Sequence, residues 1–83
     1  MVDSKHLKFR EIIYADREHR AANGPKRFRV QNKHDFSFLG DIRWYSKWRK
    51  YAFYPRADTL FEHECLRDIA AFCEEQTKEK KTK

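Results

Sequence analysis

Arg43, Tyr45, Lys47, Trp48, Lys50 and Tyr54 fall within the run LGDIRWYSKWRKYAFYP at residues 39–55, the densest mixture of cations and aromatic rings in the chain. Cationic side chains of this kind bind phosphate or carboxylate, and exposed rings stack on bases or anchor protein interfaces. That chemistry is recognition rather than bond-making. The residue types that make and break bonds are scattered. Ser4, Ser37 and Ser46 have no neighbouring His/Asp arrangement that would activate a nucleophile. His34-Asp35 reads as turn chemistry, and Glu62 and Glu64 stand where a helix begins, where acids favour the helix dipole. No glycine-rich phosphate loop is present. His63-x-Cys65 is the one close His/Cys pair and lacks the further ligands of a zinc site. The expectation is a protein that is not an enzyme and takes no metal and no cofactor.

The run must be held by two strands. From residue 36, Phe36, Phe38, Gly40, Ile42 and Trp44 alternate with Ser37, Leu39, Asp41, Arg43 and Tyr45, so one strand face is apolar and the other mixed. A loop of two residues, or of four from Tyr45 to Trp48, returns the chain as a second strand. That register sets Trp44 opposite Arg49, Ile42 opposite Tyr51 and Gly40 opposite Phe53, with the Phe53 ring covering the glycine. It also sets Arg43 opposite Lys50, Tyr45 opposite Trp48, Asp41 opposite Ala52 and Leu39 opposite Tyr54. Like charges directly opposed are unfavourable unless an anion sits between them. The mixed face therefore reads either as an anion- or partner-binding surface or as a second apolar layer with its bases in water. Arg49 would stack on the Trp44 indole.

Around this hairpin the pattern predicts one small α+β domain: a three-stranded antiparallel sheet packed against a C-terminal amphipathic helix, with an N-terminal helix before it (α-β-β-β-α). Residues 1–78 form the domain, its core lies within 26–77, and 79–83 form a disordered basic tail. KRFRVQ at 26–31 is the first strand, with Phe28 and Val30 on the apolar face. Its turn at 32–35 must have three or five residues to keep them there. Arg27 and Arg29 then join Arg43 and Lys50 as a phosphate-binding stripe across three strands. Residues 5–22 read as a helix on Phe9, Ile12 and Ile13, stopped by Asn23-Gly24-Pro25, although Phe9-x-Glu11-x-Ile13 also alternates as a strand. Thr59-Leu60-Phe61-Glu62 reads as a capping box. The helix behind it runs to about Lys78, with Phe61, Cys65, Leu66, Ile69, Ala70, Phe72 and Cys73 on its buried arc.

The chain has 83 residues, 16% of them aromatic, and a formal net charge of +6. Residues 27–56 carry eight Lys/Arg and two Asp/Glu, whereas 57–83 carry five and seven, so the charge is concentrated on the sheet. A basic sheet backed by an acidic helix is polarised toward an anionic partner. Cys65 and Cys73 are too far apart along one helix to bridge, and read as buried small hydrophobes in a reducing compartment. No apolar run reaches the ~20 residues of a membrane span, and residues 1–6 show no signal-peptide core. The expected location is the cytoplasm.

The run from Leu39 to Gln76 resembles a family of small proteins carried by tailed phages and prophages, with the pattern LGxIxWYxxWRxYxFxP, then TxF, then CLxxIxxF. Leu39, Gly40, Ile42, Trp44, Tyr45, Trp48, Arg49, Tyr51, Phe53, Pro55, Thr59, Phe61, Cys65, Leu66, Ile69 and Phe72 fit it, over about half the chain. The family has no assigned activity, so the resemblance implies a setting: the host cytoplasm, and an accessory protein acting on host replication, transcription or defence. Two functions follow. One is a non-catalytic module that modulates or inhibits a host protein or nucleoprotein complex, for example a CRISPR-type defence system, through Arg43, Tyr45, Lys47, Trp48, Lys50 and Tyr54. The alternative is direct DNA or RNA binding, with Arg27, Arg29, Arg43, Lys47 and Lys50 on phosphates and Tyr45 and Trp48 stacking bases.

Overall fold

A computed structural model describes residues 4–12 and 25–81. Four strands, β1 (Leu7–Glu11), β2 (Phe28–Asn32), β3 (Phe38–Tyr45) and β4 (Lys50–Pro55), form an antiparallel sheet in sequence order, and one helix, α1 (His63–Lys81), follows. This is an α+β architecture with one strand more than the sequence pattern predicts. The added strand takes the start of the expected N-terminal helix. Leu7 and Phe9 face inward while Lys8 and Arg10 face outward, and the strand pairs Phe9 with Val30 and Arg10 with Arg29. The local helical spacing of Phe9 and Ile12 loses to a tertiary pairing that buries Leu7 and stacks Phe9 on Phe72 at 4.3 Å. Residues 13–22 of the expected helix, and the Asn23-Gly24 of its stop, lie outside the described residues.

Burial on one sheet face explains why the strands and helix hold together. Leu7, Phe28, Val30, Ile42 and Tyr51 meet Cys65, Ile69 and Phe72 of α1, and Phe9, Leu39, Trp44, Phe53, Phe61 and Cys73 close the margin. Phe72 is the centre: it is fully buried, with Phe9 stacked on it and Phe28 edge-on at 4.8 Å. The buried helix stripe is Cys65, Ile69, Phe72 and Gln76. That is narrower than the predicted arc: Leu66 and Ala70 are exposed, because a helix lying on one sheet touches it along a single line. Ser4 ties the chain start to α1. Its hydroxyl donates to Asp68 Oδ2 at 2.7 Å and accepts from the Leu7 amide at 3.1 Å. At the outer edge of the sheet, the Tyr51 amide donates to Thr77 Oγ1 at 2.9 Å, so the helix covers part of the β4 edge.

Two departures from simple alternation decide what faces outward. Val30 pairs with Gly40 and Gln31 with Phe38, so the register slips and Leu39 is the extra residue of a bulge. Leu39 turns into the core margin and Phe38 out of it, reversing the predicted faces of both. Phe36, also expected in the core, stands 58% exposed in the preceding loop with φ of 61°. Gly40 allows the slip, since a Cβ there would lie 2.5 Å from the Tyr54 carbonyl and 2.8 Å from the Phe53 ring. The predicted cover of Gly40 by Phe53 is therefore present, although Gly40 pairs with Pro55.

The second departure is in the β3–β4 hairpin. Tyr45 pairs with Lys50 across a four-residue turn, Ser46 to Arg49, so the register is two residues from the predicted one. Trp44 lies opposite Tyr51 and Ile42 opposite Phe53. A shift of two keeps the side chains of residues 41–45 and 50–54 on their predicted faces but changes each partner. Arg49 sits in the turn at φ 55° and does not stack on Trp44. Lys80 of α1 does, 4.8 Å from the indole centroid. Residues 79–81, expected in a disordered tail, are thus the last turn of the helix.

The helix start also differs from the capping box. Glu62 itself is the cap: its Oε1 accepts the Cys65 amide at 2.6 Å and its carbonyl takes the first helical bond, from Leu66. Thr59 instead donates to the Arg56 carbonyl at 2.8 Å. Hydrogen bonds from Cys65, side chain first and backbone second, hold the Glu62 carboxyl below its ordinary value of 4.5. A depressed folded value means that the stabilisation is complete above the unfolded value and disappears as pH falls through the folded one. Glu62→Ala is expected to lower the thermal midpoint at pH 7, with the gap to the parent narrowing below pH 4.5. Parallel midpoint-versus-pH curves for the two proteins would contradict the cap.

Candidate functional site

Alternation sends every second strand residue to the face that α1 does not touch. Across its middle runs one row of registered neighbours, Arg10, Arg29, Asp41 and Tyr54, one from each strand. Lys8, Gln31 and Phe38 stand on one side of this row, and Arg43 and Ala52 on the other, followed by Tyr45 and Lys50. The basic residues thus come from all four strands, where three were predicted. Among the described residues of this face, Asp41 is the sole carboxylate within the strands.

The predicted residues divide between this face and the hairpin tip. Arg43 does not oppose Lys50. It lies beside Ala52 in register and places its guanidinium 3.9 Å over the Tyr54 ring, a cation–π contact. Arg27 reaches Asp41, with Nη2 3.3 Å from Oδ2. Arg29 stacks 4.7 Å from the centroid of Phe38. Tyr45 is not registered with Trp48, yet their rings meet edge-on at 4.8 Å. Trp48 projects from the turn at 68% exposure, next to Lys47, so this indole is a surface group. Lys50 faces Tyr45 and also lines the cleft between β4 and α1, with Cys73, Thr77 and Lys78.

Several members of the face escape a reading by strict alternation. Phe38 is on this side because of the bulge, and a second guanidinium, Arg56, sits over it at 4.9 Å. Lys8 reaches the Phe36 ring at 5.5 Å, and Arg10 extends the row on the fourth strand. The signal for Phe38 is the strand glycine two residues on, a usual mark of a bulge. The signal for Lys8 and Arg10 is the alternation Leu7-Lys8-Phe9-Arg10.

Guanidiniums packed over rings are pre-organised, because the contact removes rotamers. Arg43, Arg29 and Arg56 are all held in this way. Asp41 offsets only part of their charge. Its Oδ1 and the Nε of Arg43 are buried without a hydrogen-bond partner among the described residues. The face therefore carries a fixed positive field.

Other chemistry is weakly supplied. Burial raises the Cys65 thiol and pushes Cys73 up to about 11, so neither is a thiolate at neutral pH. Among the described residues, no group of three His, Cys, Asp or Glu side chains could hold a metal ion, and no helix is long and apolar enough to cross a membrane. Comparison of the chain with protein-family models, curated proteins and solved structures finds no match. The geometry of the face is what a functional reading rests on.

Proposed function

We propose that this protein is a non-catalytic binding module whose outer sheet face binds nucleic acid. One observation carries the reading: three guanidiniums, Arg29, Arg43 and Arg56, lie 4.7, 3.9 and 4.9 Å from the ring centroids of Phe38, Tyr54 and Phe38, in a face with a single strand carboxylate. Phosphate is the ligand that such a surface fits best. A protein partner with scattered carboxylates would be matched by interspersed charges of both signs, whereas a nucleic-acid backbone presents one sign throughout. Salt is the test. Titration of a labelled oligonucleotide is expected to show log affinity falling with log salt at a slope of roughly −3, from about four or five phosphates at ~0.7 each. A slope near zero would remove the phosphate backbone as the ligand.

The second reading is a protein interface at the hairpin tip, favoured by the exposure of Trp48 and its edge contact with Tyr45. In the phage setting that the residue pattern suggests, this tip would contact a host protein or nucleoprotein complex and modulate it, while the sheet face holds the complex's nucleic acid. Both readings place the protein in the cytoplasm.

A further inference from the structure

We infer that the strand bound by the outer face is unpaired, and that the Arg43–Tyr54 stack is a platform for one of its bases. This rests on the nucleic-acid reading above. Four strands at about 4.8 Å spacing make a face roughly 14 Å across, and the one helix of the described residues packs on its other side. The B-form major groove is about 12 Å wide and admits a helix or a two-stranded ribbon, not a four-stranded face. That helix has its buried stripe committed to the sheet, and its other positions mix five acids, Glu64, Asp68, Glu74, Glu75 and Glu79, with Arg67, Lys78, Lys80 and Lys81. With no excess of positive charge, it is a weaker element to lay against duplex phosphates than the sheet face. A single strand has no such limit: it lies across a flat sheet, phosphates toward cations and bases splayed onto planar groups.

The planar groups are already in place. The Arg43 guanidinium carbon lies 3.9 Å from the Tyr54 centroid, and a half-buried guanidinium packed over a ring can present a second planar surface to a base. Arg29 and Arg56 on Phe38 offer a similar pair of planes, one strand-row away. A point charge cannot do this. Lysine retains the attraction for phosphate and loses the plane.

The substitution Arg43→Lys separates the two roles. A labelled twelve-nucleotide dT strand and a twelve-base-pair duplex are titrated at one salt concentration with the parent, Arg43→Lys and Tyr54→Leu, and thermal unfolding confirms that each variant is folded. The parent is expected to bind the single strand about tenfold or more tighter than the duplex. Arg43→Lys and Tyr54→Leu are each expected to weaken single-strand binding about tenfold, with the salt slope unchanged, and to alter duplex binding by less than about twofold. Tyr54→Phe, which keeps the ring, is expected to bind as the parent does. Equal affinity for strand and duplex, or single-strand binding by Arg43→Lys as tight as the parent's, would overturn the inference while leaving a salt-dependent phosphate site intact. A parent that binds neither probe would remove the nucleic-acid reading itself, and this inference with it.

Discussion

Phe72→Ala is expected to lower the free energy of unfolding by about 3–5 kcal/mol. Phe72 is fully buried at the one place where β1, β2 and α1 converge, stacked on Phe9 and edge-on to Phe28. Truncating a buried phenylalanine costs about 3–5 kcal/mol, the lost transfer energy plus the cavity left behind. A domain of this length has a total stability of roughly 4–12 kcal/mol. The substitution therefore removes a large part of what holds the sheet to the helix. Phe72→Leu, which retains most of the volume, is expected to fold with a lowered midpoint. Denaturant unfolding followed by circular dichroism distinguishes the two. An Ala variant within 1 kcal/mol of the parent would mean that Phe72 is not central to the core.

The second large effect is on binding. Arg29→Glu/Arg43→Glu is expected to weaken oligonucleotide binding by about 100-fold or more at low salt, since two cations of the outer face become repulsive. Exposed Arg29 loses a cation–π contact worth about 0.5–1 kcal/mol and half-buried Arg43 one worth up to about 2 kcal/mol, so the fold is expected to survive with a lowered midpoint. The neutral pair Arg29→Gln/Arg43→Gln should fall between parent and reversal. Anisotropy titration reads all three. Unchanged binding by a folded reversal variant would place the ligand elsewhere on the molecule. Trp48→Ala, by contrast, is expected to leave this binding within about threefold, because the indole belongs to the hairpin tip and not to the sheet face.

The parts of this molecule that were readable in its sequence are the ones set by local period. Cys65, Ile69 and Phe72 recur with helical spacing, and Phe28 and Val30 alternate, so α1 and β2 follow from pattern. The faces of Arg43, Tyr51, Phe53 and Tyr54 also follow, because the hairpin differs from the expected register by two residues and parity survives. What did not follow depends on partners distant in the chain. Leu7 to Glu11 becomes a strand through pairing with β2 and contact with Phe72, against a helical spacing of its own apolar residues. Phe38 faces outward because one extra residue, Leu39, enters the strand beside a glycine with no room for a side chain. The candidate site inherits both effects. Arg27, Arg29, Arg43 and Tyr54 were visible as an alternating basic and aromatic set, whereas Phe38, Arg56, Lys8 and Arg10 belong to it only once the bulge and the fourth strand are in place.

If the outer sheet face is the binding surface, a bound strand perturbs it and not the helix or the hairpin tip. Backbone amide chemical shifts of the folded protein, recorded during addition of an unlabelled twelve-nucleotide single strand at low salt, test it most directly. The account predicts progressive shifts at Arg10, Arg29, Asp41, Arg43 and Tyr54, with Leu66, Ala70 and Glu74 on the exposed side of α1 unmoved. Shifts confined to α1, or to Lys47, Trp48 and Arg49 at the tip, would contradict it.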